Sequence, residues 1–124
     1  MARYQHLPVY QSVYVLCLQS YRIKLKLPKS FKHDLGQAFC GQSIRLLKII
    51  ALANQHKNKF KMLEHAAIEH EGLWVITRLL FDLKCISNGE YRILCEMLTE
   101  IAKQIHAWRR WEKENQKRLP PQTP

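Results

Sequence analysis

Six large apolar residues toward the C-terminal end of this chain, Tyr91, Leu94, Leu98, Ile101, Ile105 and Trp108, recur in alternating steps of three and four. At about 3.6 residues per turn, such steps return every side chain to one side of an α-helix, so the segment is a helix that buries a continuous seam. Just ahead of it, Ser87 and Glu90 stand at capping-box spacing in Ser87-Asn88-Gly89-Glu90, and the helix is expected to open there and run to about Trp111.

Gly and Pro divide the rest of the chain. Pro8 suits the first turn of a helix running to about Leu25, which Leu27-Pro28 ends because the residue before a proline is pushed out of the α region. Ser30 is the expected N-cap of a second helix reaching about Asn54. A polar, basic connection follows over residues 55–61, then a third helix to about Cys85. No alternating strand pattern competes. The expected fold class is all-α, an antiparallel up-down four-helix bundle over residues 7–111, with a short N-terminal arm (1–6) and a charged, Pro-containing, disordered tail (112–124).

The helices carry more apolar surface than one bundle core uses. On a helical wheel the large side chains of the first helix, from Val9 to Leu25, cover an arc of roughly 220°, where a core-facing stripe needs little more than ~100°. Tyr10, Tyr14 and Tyr21 fall at helical spacing and are expected in the core. The third helix has one face of Leu63, Ala67, Trp74, Phe81 and Cys85, and another of Ile68, Val75, Leu79 and Leu83. Second faces of this kind mark partner surfaces, and a homo-oligomer, or a bundle stably docked on another protein, is expected.

Sites for chemistry are missing. Cys17, Cys40, Cys85 and Cys95 lie 23, 45 and 10 residues apart with no C-x-x-C pair, and read as reduced packing residues. Glu64-His65 and Glu69-His70 have neither the H-E-x-x-H nor the E-x-x-H spacing that places two metal ligands on one helix face, and His70 reads as a hydrogen-bonded core histidine. No Arg stands five to seven positions ahead of a His, the spacing small helical ribonucleases use, and no Gly-rich loop leads into G-K-S/T. A non-enzyme without metal or cofactor is expected. With no stretch near ~20 continuous apolar residues and no hydrophobic segment at the N-terminus, the expected setting is the cytoplasm.

The charge is lopsided. Of a net +10, all falls in residues 1–61, which hold eleven Lys and Arg against one acid, Asp34, while residues 62–124 hold nine of each sign. Clustered cations raise a local potential that scattered ones lose to screening within ~8–10 Å, and nucleic acid is the expected partner. The candidate contacts are Arg22, Lys24, Lys26, Lys29 and Lys32 around the first turn, Arg45 and Lys48 on the outer face of the second helix, and Lys57, Lys59 and Lys61 in the second connection. Arg92, Lys103 and Arg110 form a column on the fourth helix that Glu96 and Glu100 partly neutralise, and Arg109, Lys113, Lys117 and Arg118 carry charge toward the C-terminus. Lys and Arg on phosphates would hold a strand without reading its sequence.

Leu7-Pro8-Val9-Tyr10, Leu35-Gly36, the run from Ile44 to Asn54, Arg78-Leu79-Leu80, Asp82-Leu83-Lys84, Ile86-Ser87, Tyr91 and Trp108 together resemble the accessory variability determinant (Avd) proteins of diversity-generating retroelements, over about residues 7–111. The resemblance implies a four-helix bundle assembled into a homopentameric barrel. It further implies binding to the element's reverse transcriptase and template RNA, or an RNA–DNA hybrid, in support of mutagenic cDNA synthesis, with no catalytic activity. The bundle proteins encoded in intervening sequences of bacterial ribosomal RNA genes are similar in pattern. A structural bundle whose charge meets an acidic protein stays open beside these readings.

Overall fold

The computed structural model describes residues 4–118. A 3-10 turn, Tyr4–His6, leads into α1 (Pro8–Lys26). The chain then passes through one α-helical turn, Lys29–Phe31, and a π-helical turn, Lys32–Gly36, into α2 (Gln37–Ala53). α3 spans Lys59–Asp82 and α4 spans Asn88–Arg118. No strand occurs among the described residues. α1 packs on α2 and α4, and α3 packs on the same two, so α1 and α3 lie across the diagonal of a four-helix bundle.

Local chemistry sets most of the helix ends. Pro8 occupies the first turn of α1, and Leu27 ends that helix with an extended backbone (ψ 148°) ahead of Pro28. Ser87 and Glu90 form the capping box in full: the Ser87 Oγ accepts from the Glu90 N–H at 3.0 Å, and the Glu90 carboxylate accepts from the Ser87 N–H at 2.9 Å. Asn58 caps α3 by accepting from the Lys61 N–H at 3.1 Å, so that helix begins at Lys59, inside the segment expected to be a connection.

Ser30 is not a cap. The helical turn starts a residue earlier, at Lys29, and no side chain caps it. Instead the carbonyl of Pro28, whose ring already holds φ at −55°, accepts from the N–H groups of both Phe31 and Lys32 at 2.9 Å. The π turn that follows ends at buried Gly36, where a Cβ would stand 3.0 Å from both Leu27 Cδ1 and Lys24 Cγ. A small residue there lets the end of α1 close onto the start of α2.

α4 runs past the expected end at Trp111, as far as Arg118. The side chain of Glu112, expected in a disordered tail, is buried and accepts from Trp108 Nε1 at 3.3 Å one turn back. That contact carries the helix beyond the apolar seam. The rest of the expected tail, residues 119–124, lies outside the described residues, as do residues 1–3.

The core follows the seam read from the sequence. Leu94, Leu98, Ile101 and Ile105 of α4 are buried against Val13, Leu16 and Ile23 of α1, Phe39, Leu46 and Ile50 of α2, and Leu63, Leu73 and Leu80 of α3, each worth roughly 1.5–3 kcal/mol for its removal from water. On α3 the buried line is Leu63, Ala66, His70, Leu73, Thr77 and Leu80, so most of the face with Trp74 and Phe81 read from the sequence forms its half-buried flank. His70 is a core histidine, its Nε2 2.7 Å from the Leu98 carbonyl and its ring edge-on to Trp74.

Two apolar stripes remain in solvent. On α1, Tyr14 (47% exposed), Leu18, Tyr21 and Leu25 (73%) line one outer face, which corrects the placement of Tyr14 and Tyr21 in the core. On α3, Ile68 (65% exposed), Val75 (60%), Leu79 and Leu83 line another. With α1 and α3 on the diagonal, the two stripes point away from each other.

Candidate nucleic-acid interface

The bundle gathers the basic residues at its two ends and on the outer faces of α2 and α4, which lie on opposite sides. At the first end the C-terminus of α1, the π turn, the C-terminus of α3 and the N-terminus of α4 come together. Arg22, Lys26 and Lys29 are exposed there, while Lys24 and Lys32 are half-buried, and the stem of Lys24 packs near Gly36. Acids from the second half of the chain join them. Glu90 meets Lys26 Nζ at 3.3 Å, and Asp82 holds Arg78 at 3.0 Å. Arg22, Lys24, Lys29 and Lys32 have no ion pair among the described residues.

Lys84 also belongs to this end, and the sequence reading missed it. It is exposed, with φ at 60°. It sits just beyond α3, where its N–H bonds the Phe81 carbonyl at 2.9 Å and the Cys85 N–H bonds the Leu80 carbonyl at 2.8 Å. This is a Schellman closure with lysine at the position glycine normally takes. No periodicity signals it, because it lies between helices and meets the first-half cations only through the fold.

At the second end Lys57 and Lys61 are exposed and Lys59 donates to the His56 carbonyl at 3.2 Å. The C-terminal part of α4 adds exposed Arg110 and Lys113. Arg109 is committed elsewhere: its guanidinium lies 5.6 Å from the Phe60 ring centre and 4.0 Å from the Glu64 carboxylate. The side chains of Lys117 and Arg118 lie outside the described residues. Along the side of the bundle, Arg45 bonds Glu69 of α3 at 2.7 Å, while exposed Lys48 has no ion pair among the described residues. On α4, Arg92 pairs with Glu96 at 3.2 Å and Lys103 is exposed.

Exposed pairs of this kind are worth at most ~1 kcal/mol, so Lys26, Arg45 and Arg92 can exchange their carboxylate partners for phosphates at small cost, although the neighbouring acids partly neutralise them. What the arrangement can do chemically is hold a polyanion. Among the described residues no group of His, Cys, Asp and Glu is arranged to hold a metal, and no helix is long and apolar enough to cross a membrane. All four cysteines are free thiols, Cys17 and Cys40 buried and Cys85 and Cys95 half-buried. Burial, with a smaller contribution from neighbouring Cys40, pushes the Cys17 thiol up to about 11.

Fold and surface together define a basic four-helix-bundle protein with two unsatisfied apolar faces. A family model described as bAvd-like matches residues 8–112, and the chain belongs to that family. No curated protein gave a match to the chain.

Proposed function

We propose that this chain is the nucleic-acid-binding accessory subunit of a retroelement reverse transcriptase, holding template RNA and the polymerase together during mutagenic cDNA synthesis. Membership of the Avd-like family supports the reading. The observation that carries it is the set of cations at both ends of the bundle with no ion pair among the described residues: Arg22, Lys24, Lys29 and Lys32 at one, Lys57 and Lys61 at the other, with Lys48 between them. The two stripes suit a homo-oligomer in which α1 of one copy meets α3 of the next. Such a contact joins unlike faces and gives a ring where its rotation closes, and the family resemblance implies a ring of five copies.

The test is RNA binding over a salt titration. Several phosphate contacts give a steep linear fall of log affinity with log salt. Arg22→Glu, Lys29→Glu and Lys48→Glu combined, all exposed and without an ion pair among the described residues, should abolish binding at physiological salt and stop cDNA synthesis by the co-purified polymerase. A salt-independent affinity, or a triple variant that binds RNA as well as wild type, overturns the proposal. Binding of an acidic protein in place of RNA would identify the chain as a structural adaptor.

A further inference from the structure

The seam between α1 and α4 is the most open of the four in the bundle. Two apolar hollows lie along it, of about 360 and 420 Å³. Val15 and Met97 line the first, and Leu7, Pro8, Ala107, Trp108 and Trp111 line the second. Between them Gln104 Nε2 donates across the seam to Ser12 Oγ at 3.2 Å and forms a waist. Val15 is 50% exposed, and Ile93 and Trp111 are exposed at either end of the groove on α4. This surface is separate from the stripes on α1 and α3, since Ile93, Met97, Ala107 and Trp111 recur on a different face of the bundle.

The lip of the first hollow is acidic. Glu96 and Glu100 both line it, on a chain whose net charge is +10. Glu96 is paired with Arg92 on the side away from α1, whereas Glu100 has no ion pair among the described residues and accepts only from the Gln104 amide at 3.1 Å. The waist is itself incomplete, because the carbonyl oxygen of Gln104 is buried and accepts no hydrogen bond among the described residues. Acids and an unmet acceptor repel phosphate and invite donors.

We propose that this groove docks a cationic amphipathic helix of a protein partner, laid along the α1–α4 seam as a fifth helix. Two apolar anchors enter the hollows while Lys or Arg beside the first anchor meets Glu100 and Glu96. The hollows are centred about ten to eleven residues apart along α4, ~15 Å at 1.5 Å per residue, which is three turns of the incoming helix. Its anchors therefore stand at i and i+10 or i+11, with further apolar residues at i+3, i+4 and i+7 along the same face. This rests on the reading of the chain as an accessory subunit with a protein partner, and it assigns protein docking to a surface distinct from the basic one.

The test uses the full chain and a fluorescein-labelled helical peptide of about 18 residues, ~27 Å long, with leucines on one face and lysines elsewhere, beside a version with glutamates for lysines. The lysine peptide should bind and the glutamate peptide should not. Val15→Arg and Ile93→Arg, both at exposed positions, should each weaken binding by at least ~10-fold. Glu96→Gln with Glu100→Gln should weaken it several-fold and flatten its salt dependence. Leu18→Arg and Leu79→Arg, on the two stripes, should leave it unchanged.

The proposal is overturned if Val15→Arg and Ile93→Arg bind the peptide like wild type, or if both peptides bind equally. It is also overturned if those two substitutions change the particle mass in light scattering, which would make the groove a contact between copies. RNA affinity measured in parallel separates the two proposals: groove variants should keep it, and the Arg22, Lys29 and Lys48 charge-reversal variant should lose it while still binding the peptide.

Discussion

Lys84 stands where the backbone asks for glycine. At φ 60° its Cβ crowds the following carbonyl, a conformation costing an L-residue roughly 1–2 kcal/mol, yet the turn needs it to satisfy the last carbonyls of α3. Lys84→Gly should therefore raise unfolding stability by about 1 kcal/mol in a urea titration, and lower RNA affinity if this lysine adds to the first basic end. Cys17 gives a second prediction. With its thiol near 11, only about one in a thousand molecules is a thiolate at pH 8, and the thiolate is the nucleophile. Iodoacetamide should leave Cys17 unmodified in the folded protein and alkylate it at the rate of a free thiol once urea unfolds the bundle.

The first turn of α4 is the element most fully legible in the amino-acid sequence. Ser87 and Glu90 read as a capping box from their spacing, and Ser87→Ala should cost about 1 kcal/mol of stability. The backbone N–H of Ser87, and after it Lys26, hold the Glu90 carboxyl below the usual glutamate range. A carboxylate lowered in the folded state stabilises at pH above its ordinary value and loses that contribution as pH falls through the lowered one. Stability should thus decline below about pH 4.5 with a slope that Glu90→Gln reduces, measured by chemical denaturation across pH 2.5–6. The α4 seam and the Pro28 break were legible for the same reason: each depends on neighbours within a turn. The start of α3 was not, because Lys59 and Lys61 are as compatible with a first helical turn as with a loop, and only the Asn58 cap decides. Nor were the ion pairs of the candidate site. Lys26 meets an acid 64 residues away, and Arg45 meets one on a different helix, so composition counted them as free.

At the scale of the whole molecule, the excess of apolar surface was legible as an arc too wide for one core, but its sides were not. Only the placement of α1 and α3 on the diagonal shows that the stripes point in opposite directions. The expected behaviour is a particle several times the chain mass by light scattering at micromolar concentration, falling to the monomer mass in Leu18→Arg or Leu79→Arg with helix content unchanged by circular dichroism. Because the faces are unlike, the two variants are not equivalent in a mixture. A copy carrying Leu79→Arg still offers an intact α1 face and a copy carrying Leu18→Arg an intact α3 face, so together they should pair one to one and stop. In the proposed ring, either one added to wild-type chains during refolding should act as a terminator, so a minority of altered copies should remove far more than its share of closed assemblies.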